Sequence, residues 1–181
     1  MDTENSTLLT NAQVGRVKQV TRTDNLARLA TLLLAEETSV SCAESCTGGL
    51  IAAAFTSLAG SSAWFEAGFV TYSNKMKTQL LGVDEALFVS HGAVSEPVVL
   101  QMAQGALRTA NAGYSVAVSG IAGPGGGSEE KPVGTVCFGF SSLATSYTVT
   151  QQFMGNREEV REATVDFAIA SLIKLVESNA K

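Results

Sequence analysis

The residues best able to do chemistry in this sequence are gathered in the string Ala43-Glu44-Ser45-Cys46-Thr47-Gly48-Gly49. The string lies between a predicted strand, 39–43, and a predicted helix, 48–57. A serine at such a junction stands at a sheet edge, with the N–H groups of a helix start close by. Those donors can hold an oxyanion or a phosphate. The same string also fits an ordinary turn, because Ser and Thr cap helices and Gly permits tight bends. Cys46, adjacent to Ser45, is a rival nucleophile. A serine nucleophile needs a base. His91 is the single histidine, lies in the predicted surface connection Val89-Ser90-His91-Gly92, and is the sole candidate for a Ser-His-Asp triad. A lysine serves instead if burial or a nearby cation lowers its pKa from about 10.4 toward neutrality. Tyr72-Ser73-Asn74-Lys75-Met76-Lys77 offers a phenol and two lysines just after a β-rich run. Read without other information, the two lysines also suit the wet face of a short helix.

Two further segments can bind anions. Ser119 to Ser128 is glycine-rich and follows a predicted strand, so the N–H groups around Gly120, Ala122 and Gly123 can converge on a ligand. No GK[ST] ends the loop and it is not GxGxxG, so neither the Walker A nor the dinucleotide fingerprint applies. A flexible connection is the other reading. Arg157 and Arg161, four apart at the start of the last helix, can both reach one phosphate or carboxylate, or else pair with Glu158, Glu159 and Glu162. The one SxxK string, Ser171 to Lys174, lies inside that helix with no loop around it and is read as chance.

Positioning these groups requires a layered fold. Residues 1–22 are polar and aperiodic and read as an extension of a domain spanning 23–181. Leu26, Leu29, Ala30 and Leu33 share one face of a predicted helix over 24–36, with Thr23 or Asp24 as its cap. Strands are predicted near 65–72, 114–119, 133–140 and 146–153, the last two as a hairpin. Helices are predicted near 75–81, from Pro97 to about Ala110, and over 156–178, where Val160, Ala163, Thr164, Phe167, Ala168, Leu172, Leu175 and Val176 keep one face. Strands interleaved with helices and a late hairpin predict an α/β fold: one layered domain with a mixed, mostly parallel sheet flanked by helices.

Composition narrows the function. The 181 residues are 45% hydrophobic and 16% charged, enough to fill a core. A net charge of −5 argues against broad, direct nucleic-acid binding. Three cysteines and one histidine make poor stock for a disulfide framework or a zinc site, and a reduced, cytoplasmic setting follows. No membrane span or secretory signal is expected.

Several motifs in fixed order carry a resemblance. Ala-Glu-Ser-Cys-Thr-Gly-Gly at 43–49, Gly-Ser-Ser-Ala-Trp-Phe-Glu at 60–66, Thr-Tyr-Ser-Asn at 71–74, His-Gly-Ala-Val-Ser-Glu-Pro at 91–97, Ser-Gly-Ile-Ala-Gly-Pro at 119–124 and Lys-Pro-Val-Gly-Thr-Val at 131–136 resemble the C-terminal domain family of CinA, the competence- and damage-inducible protein. The resemblance covers about residues 24–178. It implies a nicotinamide-nucleotide amidohydrolase that turns nicotinamide mononucleotide into nicotinate mononucleotide and ammonia, with no metal or organic cofactor. It maps the nucleophile to Ser45 and its partners to Tyr72 and Lys77, with Lys75 as the alternative lysine. In the implied mechanism neutral Lys77 takes the Ser45 proton, Tyr72 relays or orients it, and N–H groups near Cys46 and Thr47 hold the oxyanion, with Gly48 among the substrate-binding residues of the same turn. Glu44 either favours the cationic pyridinium ring or pairs with a lysine. The 5′-phosphate sits against the Gly120–Gly126 loop or Arg157. A homodimer is expected, on the resemblance and on the apolar face of the last helix. A non-catalytic nucleotide-binding regulatory module linked to competence or DNA damage is the competing reading.

Overall fold

Val40–Glu44 is buried at every position, the pattern of a central strand covered on both faces. The computed structural model describes residues 11–179, with side chains from residue 22 onward. Within them, β1 (Val40–Glu44), β2 (Phe65–Val70), β3 (Tyr114–Gly120), β4 (Thr135–Ser142) and β5 (Ser146–Gln152) form one sheet in the order β2-β1-β3-β4-β5. β1 runs parallel to β2 and β3, with Cys42 opposite Gly68 and Val116. β4 runs antiparallel to β3 and β5. One strand therefore opposes the other four, and the mixed, mostly parallel sheet is as expected.

The helices are α1 (Asn11–Ala35), α2 (Leu50–Thr56), α3 (Asn74–Leu81), α4 (Glu85–His91), α5 (Glu96–Ala110) and α6 (Arg157–Asn179). Side-chain alternation divides the core between the two faces of the sheet. Cys42, Val116, Val118 and Phe138 meet α6, α2 and α1, whereas Ala43, Ala117 and Cys137 meet α5 and its neighbours. On α5, Val98, Val99, Met102, Ala103 and Ala106 are buried, as the periodicity predicts. The motif at 60–66 is structural: Trp64 is 1% exposed and meets Phe55 edge-on, ring centroids 5.6 Å apart. Among the described residues no helix is long and apolar enough to cross a membrane.

Three expectations are corrected. The first helix starts at Asn11, not near 24, so Thr23 and Asp24 lie inside it and not at its start; residues 1–10 of the expected extension lie outside the described residues. Ala12, Gln13, Arg16, Lys18 and Gln19 favour a helix by propensity alone, without the apolar stripe used to find helices. His91 closes α4, a helix begun by Asp84, whose carboxylate accepts from the Ala86 N–H at 2.9 Å. Finally, α6 also buries Val165, Ile169 and Ile173, because the sheet covers one side and α1 the other. Arg22 ties these two helices through Glu162 at 2.6 Å and Asp166 at 2.5 Å. The apolar face of α6 is satisfied within the chain and gives no argument for a dimer.

Topology fixes where a site can form. From β1 the chain crosses by α2 on one face to β2; from β2 it returns by α3, α4 and α5 on the other face to β3. The two crossovers diverge between β1 and β3. The crevice beyond the carboxyl ends of strands at such a switch point is where open α/β sheets bind ligands. Ser45 follows β1 there and donates its N–H to Val118 O at 3.1 Å.

Candidate active site

Ser45 is half-buried, and Lys77 Nζ stands 3.2 Å from its Oγ. Lys77 reaches it from the first turn of α3. Ser73 caps that helix, its Oγ accepting the Met76 N–H at 3.3 Å, and Lys77 and Leu81 face inward one turn apart. Lys77 is 1% exposed and also donates to Thr71 O at 3.0 Å. Burial lowers its pKa below the usual 10.5. A buried lysine with a depressed pKa beside a serine hydroxyl can act as a general base. Lys75 is exposed on the same helix. His91 Nδ1 bonds to Ser90 Oγ at 2.7 Å, while the hydrogen bond to Ser45 Oγ comes from Lys77.

Glu44 departs from one of the two roles expected for it, the pairing with a lysine. It is 0% exposed, and its carboxylate accepts the N–H groups of Gly49 at 2.9 Å, Ile51 at 3.1 Å and Ala52 at 2.8 Å. It pairs with no lysine among the described residues; it is the acidic cap of α2, placed where the helix dipole favours an anion. Its position has a consequence for the expected oxyanion donors, since the N–H groups at the start of α2 are already occupied. Gly48 and Gly49 adopt φ of 60° and 104°, delaying α2 to Leu50 and wrapping the turn around the carboxylate. The N–H groups of Cys46 and Thr47, beside Ser45, donate to no backbone oxygen among the described residues, and both lie against the Cys46 thiol.

The side chains of Cys46 and Thr47 are both buried. Cys46 is 8% exposed and belongs to the core. A Cβ on Gly120 would stand 3.1 Å from its sulfur and 2.7 Å from Val136 Cγ2, so Gly120 serves this packing. Burial pushes the Cys46 thiol up to about 12, against the pull of its own N–H. A thiol so far from ionising is a poor rival to Ser45. Thr47 is 0% exposed, its hydroxyl has no partner, and its carbonyl accepts Arg161 Nη2 at 2.7 Å.

Tyr72 is 64% exposed, and its hydroxyl accepts Arg157 Nη2 at 3.3 Å. The structure thus ties the phenol to Arg157, not to the Ser45–Lys77 pair. Arg157 Nη1 also donates to Gly123 O at 2.9 Å, joining α6 to the glycine-rich loop. In that loop the N–H groups of Ala122, Gly123, Gly125 and Gly126 have no acceptor among the described residues. A cleft of about 610 Å³, lined by Leu50, Ala122, Pro124, Arg157 and Arg161 among others, opens beside it. Its size suits a nucleotide. Ser45 and Lys77 are not among its walls; Arg161, which is, bonds to Thr47 O on the turn that carries Ser45. Lys131 was not singled out in the sequence. Its ammonium donates to His91 O and Val94 O, both at 2.8 Å, and pins the residues after the loop to the α4–α5 connection. Its place in the Lys-Pro-Val-Gly-Thr-Val motif was the available signal.

Fold and site together define a layered α/β domain with a serine–lysine pair at the switch point of its sheet. The chain belongs to the family described as the CinA C-terminal domain, which matches residues 23–176. It is 55% identical over 141 residues to a protein of Escherichia coli K12 named nicotinamide-nucleotide amidohydrolase PncC, covering 77% of this chain and 86% of that one. A Pseudomonas putida protein of the same name is 54% identical over 136 residues, covering 75% and 85%. Among solved structures, the competence/damage inducible protein CihA from Agrobacterium tumefaciens superposes with a TM-score of 0.84 at 45% identity, covering 86% of this chain and 95% of that one.

Proposed function

We propose that this chain is a nicotinamide-nucleotide amidase, which hydrolyses nicotinamide mononucleotide to nicotinate mononucleotide and ammonia in pyridine-nucleotide recycling. The names of its relatives support the substrate. The observation that carries the chemistry is the 3.2 Å contact between buried Lys77 Nζ and Ser45 Oγ. Neutral Lys77 takes the Ser45 proton as Oγ bonds to the carboxamide carbon. The C=O electron pair moves onto oxygen, and the N–H groups of Cys46 and Thr47 receive the oxyanion. Lys77 then hands its proton to the departing amine, the C–N bond breaks, and ammonia leaves. Water attacks the resulting ester by the same route: Lys77 removes its proton and returns one to Ser45 Oγ as the C–O bond breaks. The pyridinium charge makes the amide carbon more electrophilic throughout. Tyr72, steadied by Arg157, borders the reacting group. The 5′-phosphate lies against the unpaired N–H groups at 122–126, beside Arg157. Each proton transfer in this scheme runs between Lys77, Ser45, the substrate and water.

The test is ammonia release from nicotinamide mononucleotide by the purified chain in the presence of a chelator, with the nucleotide product identified by mass. Equimolar ammonia and nicotinate mononucleotide are expected. A folded protein that binds the nucleotide without releasing ammonia would reject the amidase and favour a regulatory module.

A further inference from the structure

Arg161 and Arg157 share a cleft but not a task. Arg157 bonds to Gly123 O and Tyr72, whereas the Arg161 guanidinium lies on the nucleophile's own turn. Its Nη2 donates to Thr47 O at 2.7 Å, across 114 residues of sequence. The only other donor to that carbonyl among the described residues is Leu50 N–H, at a longer 3.4 Å. The same peptide unit gives its N–H, that of Gly48, to Ser45 O at 3.2 Å. The Thr47–Gly48 peptide is thereby fixed at both ends. A Cβ on Gly48, whose φ is 60°, would stand 3.7 Å from Arg161 Nη2, so the guanidinium covers the most pliable residue of the turn. Arg161 Nε is buried without a partner. A buried N–H left unpaired is a cost that a native site carries for a reason.

We propose that Arg161 is a positioning residue for the nucleophile: by holding the Thr47–Gly48 peptide it sets the turn that aims the Cys46 and Thr47 N–H groups at the oxyanion. Its charge adds to this. At Cys46 burial is the largest effect and raises the thiol, and Glu44 raises it too; the Arg161 cation pulls the other way, so its field reaches the turn. The inference rests on Ser45 being the nucleophile of the proposed amidase, but it separates Arg161 from phosphate binding. A phosphate ligand acts on KM for the nucleotide. A residue that shapes the oxyanion site acts on kcat, with or without a phosphate on the substrate.

The experiment compares wild type, Arg161→Gln and Arg161→Lys as full chains. The first readout is the rate at which a fluorophosphonate labels Ser45, located by peptide mass spectrometry. This reaction needs the nucleophile and its oxyanion donors but no nucleotide. The second is ammonia release from nicotinamide mononucleotide and from its dephosphorylated nucleoside. Arg161→Gln is expected to label and turn over roughly 10- to 100-fold more slowly, as for a small misplacement of reacting groups. Both substrates lose the same factor, and KM for the nucleotide stays within about 3-fold. Arg161→Lys regains part of the rate, because it restores the charge without the planar fork. Labelling of Arg161→Gln at the wild-type rate overturns the inference, as does a loss confined to the phosphorylated substrate through KM. If Arg161→Gln fails to fold, Arg161→Lys decides: a folded variant at the wild-type rate overturns the inference, and a slower one supports it. A wild type that labels at Ser45 but releases no ammonia contradicts the substrate alone, and the labelling rates still decide Arg161. A wild type whose Ser45 does not label contradicts the inference itself.

Discussion

Lys77→Met is expected to lower kcat for amide hydrolysis by about 10²- to 10⁴-fold, the usual contribution of a positioned general base. The fold is expected to survive. Lys77 is 1% exposed, and Met fills nearly the same volume while removing an amine whose charged form burial disfavours. The change leaves Thr71 O without its Nζ donor, a loss on the order of 1 kcal/mol. Tm should therefore shift by only about 2–4 °C. A large fall in Tm would mean that the lysine is buried to hold the fold together and not to serve as the base. The same residue sets a pH dependence. The free amine is the working form, so wild-type kcat should rise with pH through the lowered lysine pKa, with its inflection below 10.5, and activity should be lost on the acid side. Stability should rise with pH across the window between the lowered value and 10.5, because there the unfolded chain binds more protons than the folded one. Lys77→Met should lack both slopes. Initial rates and thermal melts across pH test this.

Glu44→Gln is expected to be the most destabilising conservative change near the site, by about 3–5 kcal/mol. The carboxylate is fully buried and takes three N–H groups, of Gly49 before α2 and of Ile51 and Ala52 in its first turn, across its two oxygens. An amide replaces one of those oxygens with an NH₂ facing an N–H donor and withdraws the charge that offsets the helix dipole. For a domain of this size the loss corresponds to a fall in Tm of roughly 6–20 °C. Activity should fall as well, because the anchored turn carries Ser45. A Tm within about 2 °C of wild type would contradict the assigned cap.

The parts of the fold set by period were legible. Leu26, Leu29, Ala30 and Leu33 are buried on α1, and Val98, Val99, Met102 and Ala103 on α5, because each stripe packs on one surface. The pattern was less complete where a helix packs on two sides. Val165, Ile169 and Ile173 on α6 widen the apolar face beyond one stripe. It failed for α4, whose seven residues include none that is buried, so no stripe could form; Asp84 was its one signal. At the site, residue types were legible but partners were not. Glu44 and Lys77 are both buried ionisable groups, yet nothing local says that one meets three backbone N–H groups and the other a serine across 32 residues. Two left-handed glycines and the β1–β2 register make those meetings, and both are tertiary facts. Lys77 and Leu81, spaced one helical turn apart, did carry a local hint that Lys77 faces inward. Arg161 looked like a twin of Arg157 because spacing shows that both can reach one ligand, not that one is held by Thr47.

The central claim is that Ser45, and not its neighbour Cys46, attacks the amide. Ammonia release from nicotinamide mononucleotide by metal-stripped Ser45→Ala and Cys46→Ala, beside wild type, tests it most directly. Ser45→Ala should fall to the rate of the protein-free control. Cys46→Ala should keep turning over, with its loss limited to about 10-fold from disturbed core packing beside the nucleophile. Turnover retained in Ser45→Ala and abolished in a folded Cys46→Ala would contradict the account and make the thiol the nucleophile.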